Sequence, residues 1–189
     1  MQDNHNEMTL VYESNETSRI HLFSEDFVTR YKSNCYLVIE GTKIDLCSLY
    51  VFNSLGKHVV ILINPNNDIT DMSYMFDQCE WLRSISENSK WNTGNVTNMM
   101  SMFNGCKSLK SIPDISSWDI SKTENISCMF INCSSIRQIP EGISNWNTSK
   151  CQKFKYIFKG CIKVTQFPNT QNWNKKSVTD QSEINKMFN

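Results

Sequence analysis

The residues best equipped for chemistry are eight cysteines. Four of them, Cys79, Cys106, Cys133 and Cys161, recur at intervals of 27, 27 and 28 residues. A thiol can ligate a metal, form a disulfide or attack an electrophile. A zinc site gathers its ligands at one point through short Cys-x-x-Cys pairs, and no such pair occurs. A regular period instead strings the thiols out along the molecule. Thiols one repeat apart come within disulfide range, but parallel side-chain vectors do not suit that bond. The column therefore reads as a row of small buried hydrophobes, in keeping with the absence of a visible secretory signal. Cys35, Cys47, Cys128 and Cys151 lie outside the column, with Cys128 and Cys151 at variable positions. The histidines, His5, His21 and His58, all precede the repeated region. A Cys–His nucleophile needs hydrogen-bond reach and a third, orienting group, and nothing recommends Cys47 with His58 or Cys35 with His21. No glycine-rich phosphate loop is present. No catalytic residue, no metal and no cofactor is expected; a thiol-dependent or redox protein using Cys47 or Cys151 is the weakest of three readings.

Charge is the second source of chemistry. The chain carries 19 Lys+Arg against 19 Asp+Glu, which argues against a generic nucleic-acid or membrane-surface binder, since those work through a net positive field. The balance is uneven along the chain. Seven lysines (Lys150, Lys153, Lys155, Lys159, Lys163, Lys175, Lys176) and no acid fall between Gly142 and Thr179. A solvated face is the plain reading; the sharper one is an acidic partner protein docking there. Arg83, Lys110 and Arg137 also share one position in successive repeats, followed by Thr165. Like charges side by side cost stability, so this column suggests an anion or acidic chain lying across it.

The elements that must position these groups come from an internal repeat over residues 68–189. Met75-Phe76, Met102-Phe103, Met129-Phe130 and Ile157-Phe158 each precede a column cysteine. Trp91, Trp118, Trp146 and Trp173 follow the same beat, as do Leu82, Leu109, Ile136 and Val164, then Ile85, Ile112, Ile139 and Phe167. A single unit cannot bury these side chains, but stacked copies put like on like. Phe76, Phe103, Phe130, Phe158, the four column cysteines and the four tryptophans are the expected core. A period of this size predicts a solenoid of four to five coils with one short parallel strand per coil. The strand falls on the Leu-x-x-Ile segments, closed by Pro113, Pro140 or Pro168. Asn/Ser/Thr-rich stretches after each Trp read as turns held by side-chain-to-backbone hydrogen bonds.

Met72-Ser-Tyr-Met-Phe-Asp-Gln-Cys79, Met99-Met-Ser-Met-Phe-Asn-Gly-Cys106 and Ser108-Leu-Lys-Ser-Ile-Pro-Asp-Ile-Ser-Ser-Trp118 resemble the BspA-like leucine-rich repeat of bacterial surface proteins. The resemblance implies a right-handed leucine-rich-repeat solenoid of the protein-interaction kind without catalytic residues, often found on surface proteins.

Before residue 68 the period is absent, and residues 1–67 read as a β-rich capping unit. Met8–Glu13 and Arg19–Phe23 alternate as a hairpin. Ser24 is an N-cap for a short helix over Glu25 to Lys32. Cys35–Glu40 and Lys43–Leu46 form a second hairpin, and His58 to Asn64 a last strand, an order resembling a small β-grasp. No apolar run approaches a membrane span, and the polar start predicts a cytoplasmic protein. The chain stops just after a fifth Met-Phe, so residues 182–189 are expected to cap the last coil, with self-association through that end as the alternative. The preferred function is a non-enzymatic protein–protein interaction scaffold; a structural subunit of a large assembly is the second reading.

Overall fold

The computed structural model describes residues 6–86, 91–112, 115–176 and 178. The elements are β1 (Asn6–Ser14), β2 (Arg19–His21), α1 (Glu25–Tyr31), β3 (Tyr36–Ile39), β4 (Thr42–Asp45), β5 (Leu49–Val51), β6 (Gly56–Asn64) and β7 (Leu82–Ile85). Two single 3₁₀ turns, Ile115–Ser117 and Glu141–Asn145, follow. Strand β1 forms because its apolar residues alternate: Met8, Leu10 and Tyr12 are buried while Thr9, Val11 and Glu13 face outward. Helix α1 starts where predicted, with the Ser24 hydroxyl accepting from Phe27 N–H at 3.2 Å.

A five-stranded sheet has the order β4-β3-β6-β1-β7, and β2 pairs with β5 in a second sheet. Every strand pair is antiparallel. This corrects the first expected hairpin. β1 does not pair with β2; it lies between β6 and β7, because its nine-residue alternating run matches the equally long β6 from Asn6↔Asn64 to Ser14↔Gly56. The β-grasp arrangement, which begins with that hairpin, is therefore not the fold.

The leucine-rich-repeat solenoid with a parallel strand in each coil is also overturned. Of the four Leu-x-x-Ile segments only Leu82–Ile85 is a strand, and it runs antiparallel to β1. The reason is tertiary. Arg83-Ser84 in β7 is no more β-branched than Lys110-Ser111 or Arg137-Gln138, so local propensity does not separate the segments; β7 is a strand because it meets the β1 edge. Parallel contacts between repeats are single bridges, Asp71↔Asn98, Asn98↔Asn125 and Asn125↔Lys153.

Contact between repeats is made mainly through the Met-Phe segments, whose backbone winds tightly. Residues two before and two after each Phe are left-handed: Tyr74 and Gln78, Ser101 and Gly105, Cys128 and Asn132, Tyr156 and Gly160. N–H groups of one repeat donate to carbonyls of the next: Met72, Tyr74, Phe76 and Gln78 to Asn98, Met100, Met102 and Asn104. Phe103 to Met129 and Phe130 to Ile157 continue the series. The Phe rings stack at 5.3, 5.1 and 5.6 Å from Phe76 through Phe103 and Phe130 to Phe158, each pair worth about 0.5–1.5 kcal/mol beyond the area it buries.

Within these segments the bonding runs one way, which leaves the Asp71, Ser73 and Met75 carbonyls of the first repeat without donors from a preceding one, and the α1 region supplies them. Arg30 Nη1 donates to Asp71 O at 3.2 Å and Nη2 to Ser73 O at 2.6 Å. Ser24 N–H donates to Met75 O at 3.1 Å, and Phe23 packs 5.3 Å from Phe76. The residues expected to close the far end, 182–189, lie outside the described residues, as do His5 and Pro113.

Candidate functional site

Arg83, Lys110 and Arg137 occupy the middle of the Leu-x-x-Ile segments, where buried apolar residues on both sides fix the backbone: Leu82 and Ile85, Leu109 and Ile112, Ile136 and Ile139. Arg83 is half-buried and its Nε lies 3.0 Å from Glu13 Oε2 on β1. Lys110 N–H donates to Arg83 O at 3.2 Å, so these two positions are neighbours. Lys110 and Arg137 are exposed, and among the described residues neither has a carboxylate within ion-pair distance. Arg137 lines a groove of about 540 Å³ with Ser111, Gln138, Ile139, Glu141 and Thr165. A neighbouring hollow of about 490 Å³ shares Arg137, Gln138 and Thr165 and adds Lys163 and Ile162. Ile162, 80% exposed, is a large apolar side chain at the edge of this polar, cationic groove.

The remaining sequence-selected lysines do not join this groove. Lys150, Lys153 and Lys159 are exposed and Lys155 is half-buried. Lys153 forms the bridge with Asn125, and Lys159 Nζ sits 4.6 Å from the Tyr156 ring centre. The structure thus splits one lysine-rich stretch between two surfaces.

The thiol column is buried and hydrogen-bonded. Cys106 Sγ donates to Phe76 O at 3.1 Å, Cys133 to Phe103 O at 3.0 Å and Cys161 to Phe130 O at 3.1 Å. Each of these three thiols adds a second donor to the preceding repeat's Phe carbonyl, which already accepts the N–H of its own repeat's Cys, a contact that the spacing alone did not show. Burial pushes the Cys79, Cys106 and Cys133 thiols well above their ordinary value, and Cys161 to about 12. Burial also raises Cys35 to about 12, helped by Asp68, and raises Cys47. His58 is stacked on Phe52 at 3.8 Å and hydrogen-bonded to Ser54 O at 3.0 Å. Among the described residues, no three His, Cys, Asp or Glu side chains converge as a metal site would require.

Of the tryptophans, Trp91, Trp146 and Trp173 are buried and Trp118 is half-buried. The Trp146 and Trp173 indole N–H groups donate to Ile115 O and Ile143 O in the repeat before. The turns after each Trp are side-chain-held: Asn92, Asp119, Asn147 and Asn174 each accept from the backbone N–H two residues on. Sequence reasoning missed Glu13 as the partner of Arg83 and Arg30 as the cap of the first repeat. Both depend on strand and helix placement, for which no local pattern stands.

The family described as "Mycoplasma protein of unknown function, DUF285" matches residues 62–142 and again residues 136–189. The chain belongs to DUF285. The DUF285 matches span the repeats and include Lys110 and the groove residues Arg137 and Lys163. They replace the BspA-like leucine-rich repeat suggested by the Met-Phe-x-x-Cys motif. No curated protein and no solved structure matches this DUF285 chain. Among its described residues no helix is long and apolar enough to cross a membrane.

Proposed function

We propose that this DUF285 chain is a non-enzymatic protein-interaction module that takes an acidic protein segment along Lys110, Arg137 and Lys163. The observation that carries this is the fate of Arg83. At the same repeat position as Lys110 and Arg137, it is held by the Glu13 carboxylate from another strand of the chain. The next two cations stand exposed beside the groove that holds Gln138, Thr165 and Ser111. A carboxylate from a second protein would meet there the partner that Glu13 provides for Arg83. Glu141, the one acid in the groove lining, would disfavour a carboxylate at that end and so orient the segment. The buried, protonated column thiols support a binding rather than a thiol-chemical role.

The test uses a fluorescent, glutamate-rich peptide and polarisation titration. Binding is expected to weaken by at least about tenfold when Lys110 and Arg137 are both changed to Glu, and to fall steeply as salt rises past about 0.15 M. Equal binding by wild type and the doubly reversed protein, with both folded, overturns the reading.

A further inference from the structure

Three columns of surface residues change charge in step along the repeats. The first runs Asp68, Asn95, Lys122, Lys150; the second Asp71, Asn98, Asn125, Lys153; the third Asp77, Asn104, Ile131, Lys159. Contacts along them confirm the register. The second column is joined by the single bridges. Asn104 Nδ2 donates to Asp77 Oδ1 at 2.7 Å, Lys122 Nζ to Asn95 Oδ1 at 3.0 Å, and Asn132 N–H to Lys159 O at 2.7 Å. The first repeat is therefore an acidic pole, and the exposed Glu25 and Asp26 of α1 add to it. Asp26 lies close enough to Asp77 to add to the effect of burial in raising its carboxyl. The fourth repeat is a basic pole, and amides dominate between. Arg30 offsets part of the acidic pole through Asp71, at 2.9 Å.

Such a surface is complementary to itself when turned end for end. We infer that two copies of this chain associate side by side and antiparallel, with Asp68, Asp71 and Asp77 of one copy facing Lys150, Lys153 and Lys159 of the other. A two-fold axis through the middle of the stack makes the contact isologous, so every acid–base pairing occurs twice. Pole spacing matches without adjustment, since both copies have the same three ring-to-ring steps of 5.3, 5.1 and 5.6 Å. The central Asn98 and Asn125 would then meet Asn125 and Asn98 of the second copy, amide against amide, where no charge has to be neutralised. Parallel association would set acid on acid and lysine on lysine, and is disfavoured. This surface uses Lys150, Lys153 and Lys159, not Lys110 or the groove cations Arg137 and Lys163, so either proposal can fail alone.

The test is sedimentation velocity on the full chain with two charge-reversed variants. One carries Lys150→Glu, Lys153→Glu and Lys159→Glu; the other carries Asp68→Lys and Asp77→Lys, leaving the Asp71 turn intact. Wild type is expected to sediment as a dimer at about 20 mM salt and to dissociate by about 0.5 M, as exposed ion pairs are screened. Each variant alone should be monomeric, and an equimolar mixture of the two should form the dimer again. Near-ultraviolet circular dichroism of the tryptophans reports folding; should the triple variant unfold, Lys159→Glu alone is expected to weaken self-association. Wild type monomeric at low salt, a dimer indifferent to reversal, or variants that fail to pair when mixed would each overturn the inference.

Discussion

Gly160 and Gly105 occupy the same left-handed position in the fourth and second repeats, where the first and third carry Gln78 and Asn132. The alternation is steric. A Cβ at Gly105 would find its three nearest atoms in the Gln78 side-chain amide, at 2.6–2.8 Å, whereas one at Gly160 would meet Asn132 Oδ1 at 2.6 Å and its backbone N and Cα at 3.1 Å. A side-chain end can swing away and a backbone cannot. Gly160→Ala is therefore expected to cost more than Gly105→Ala, by about 1 kcal/mol or more in urea unfolding. Gln78→Ala should rescue Gly105→Ala, while Asn132→Ala should leave most of the Gly160→Ala loss in place. Equal costs for the two glycine variants would show that side-chain crowding does not set the pattern. The thiols are a second residue-scale case: Cys106→Ala removes a fully buried side chain and its bond to Phe76 O, but that carbonyl keeps the Cys79 N–H at 3.1 Å, so the expected loss in urea unfolding is about 1 kcal/mol.

At the scale of elements, α1 does for the first repeat what a preceding repeat would do. Arg30 is the centre of that cap, forking its guanidinium to two carbonyls and pairing with Asp71. Burial opposes ionisation of Asp71, but the Ser73 hydrogen bonds and Arg30 outweigh it and hold its carboxyl below the ordinary value. Arg30→Ala should destabilise by about 1–3 kcal/mol through carbonyls left unpaired. Arg30→Lys should recover little of it, because an ammonium lacks the planar fork. Full recovery by lysine in thermal melts would mean that charge alone, and not the paired bonds, makes the cap.

At the scale of the whole molecule, the buried thiols couple folding to alkaline pH. Their folded values lie above the ordinary 9.0, with Cys35 and Cys161 at about 12, and burial raises the Tyr12 phenol as well. Between these limits the unfolded chain loses protons that the folded chain keeps. Stability from these groups is complete below pH 9 and is lost as pH rises toward 12. Urea midpoints should hold to about pH 9 and then drop, with a shallower drop in Cys161→Ala; a midpoint still unchanged near pH 10.5 would contradict the assignment of buried, protonated thiols.

The repeat, its aromatic and thiol core columns, the Ser24 cap and the Trp-Asn turns were all readable in the chain, because each rests on side-chain type at a fixed spacing and on bonds within a few residues. The cationic column was readable too, though not which of its members were already neutralised. Pairing was not readable. Whether β1 would meet β2 or lie between β6 and β7, and whether a Leu-x-x-Ile segment would become a strand, depends on which edges meet in space. Antiparallel partners far apart in sequence compete on nearly equal local terms, so the choice falls to the packing of the assembled core. That choice set β1 beside β7, gave Arg83 the carboxylate of Glu13, and left Lys110 and Arg137 exposed beside a groove.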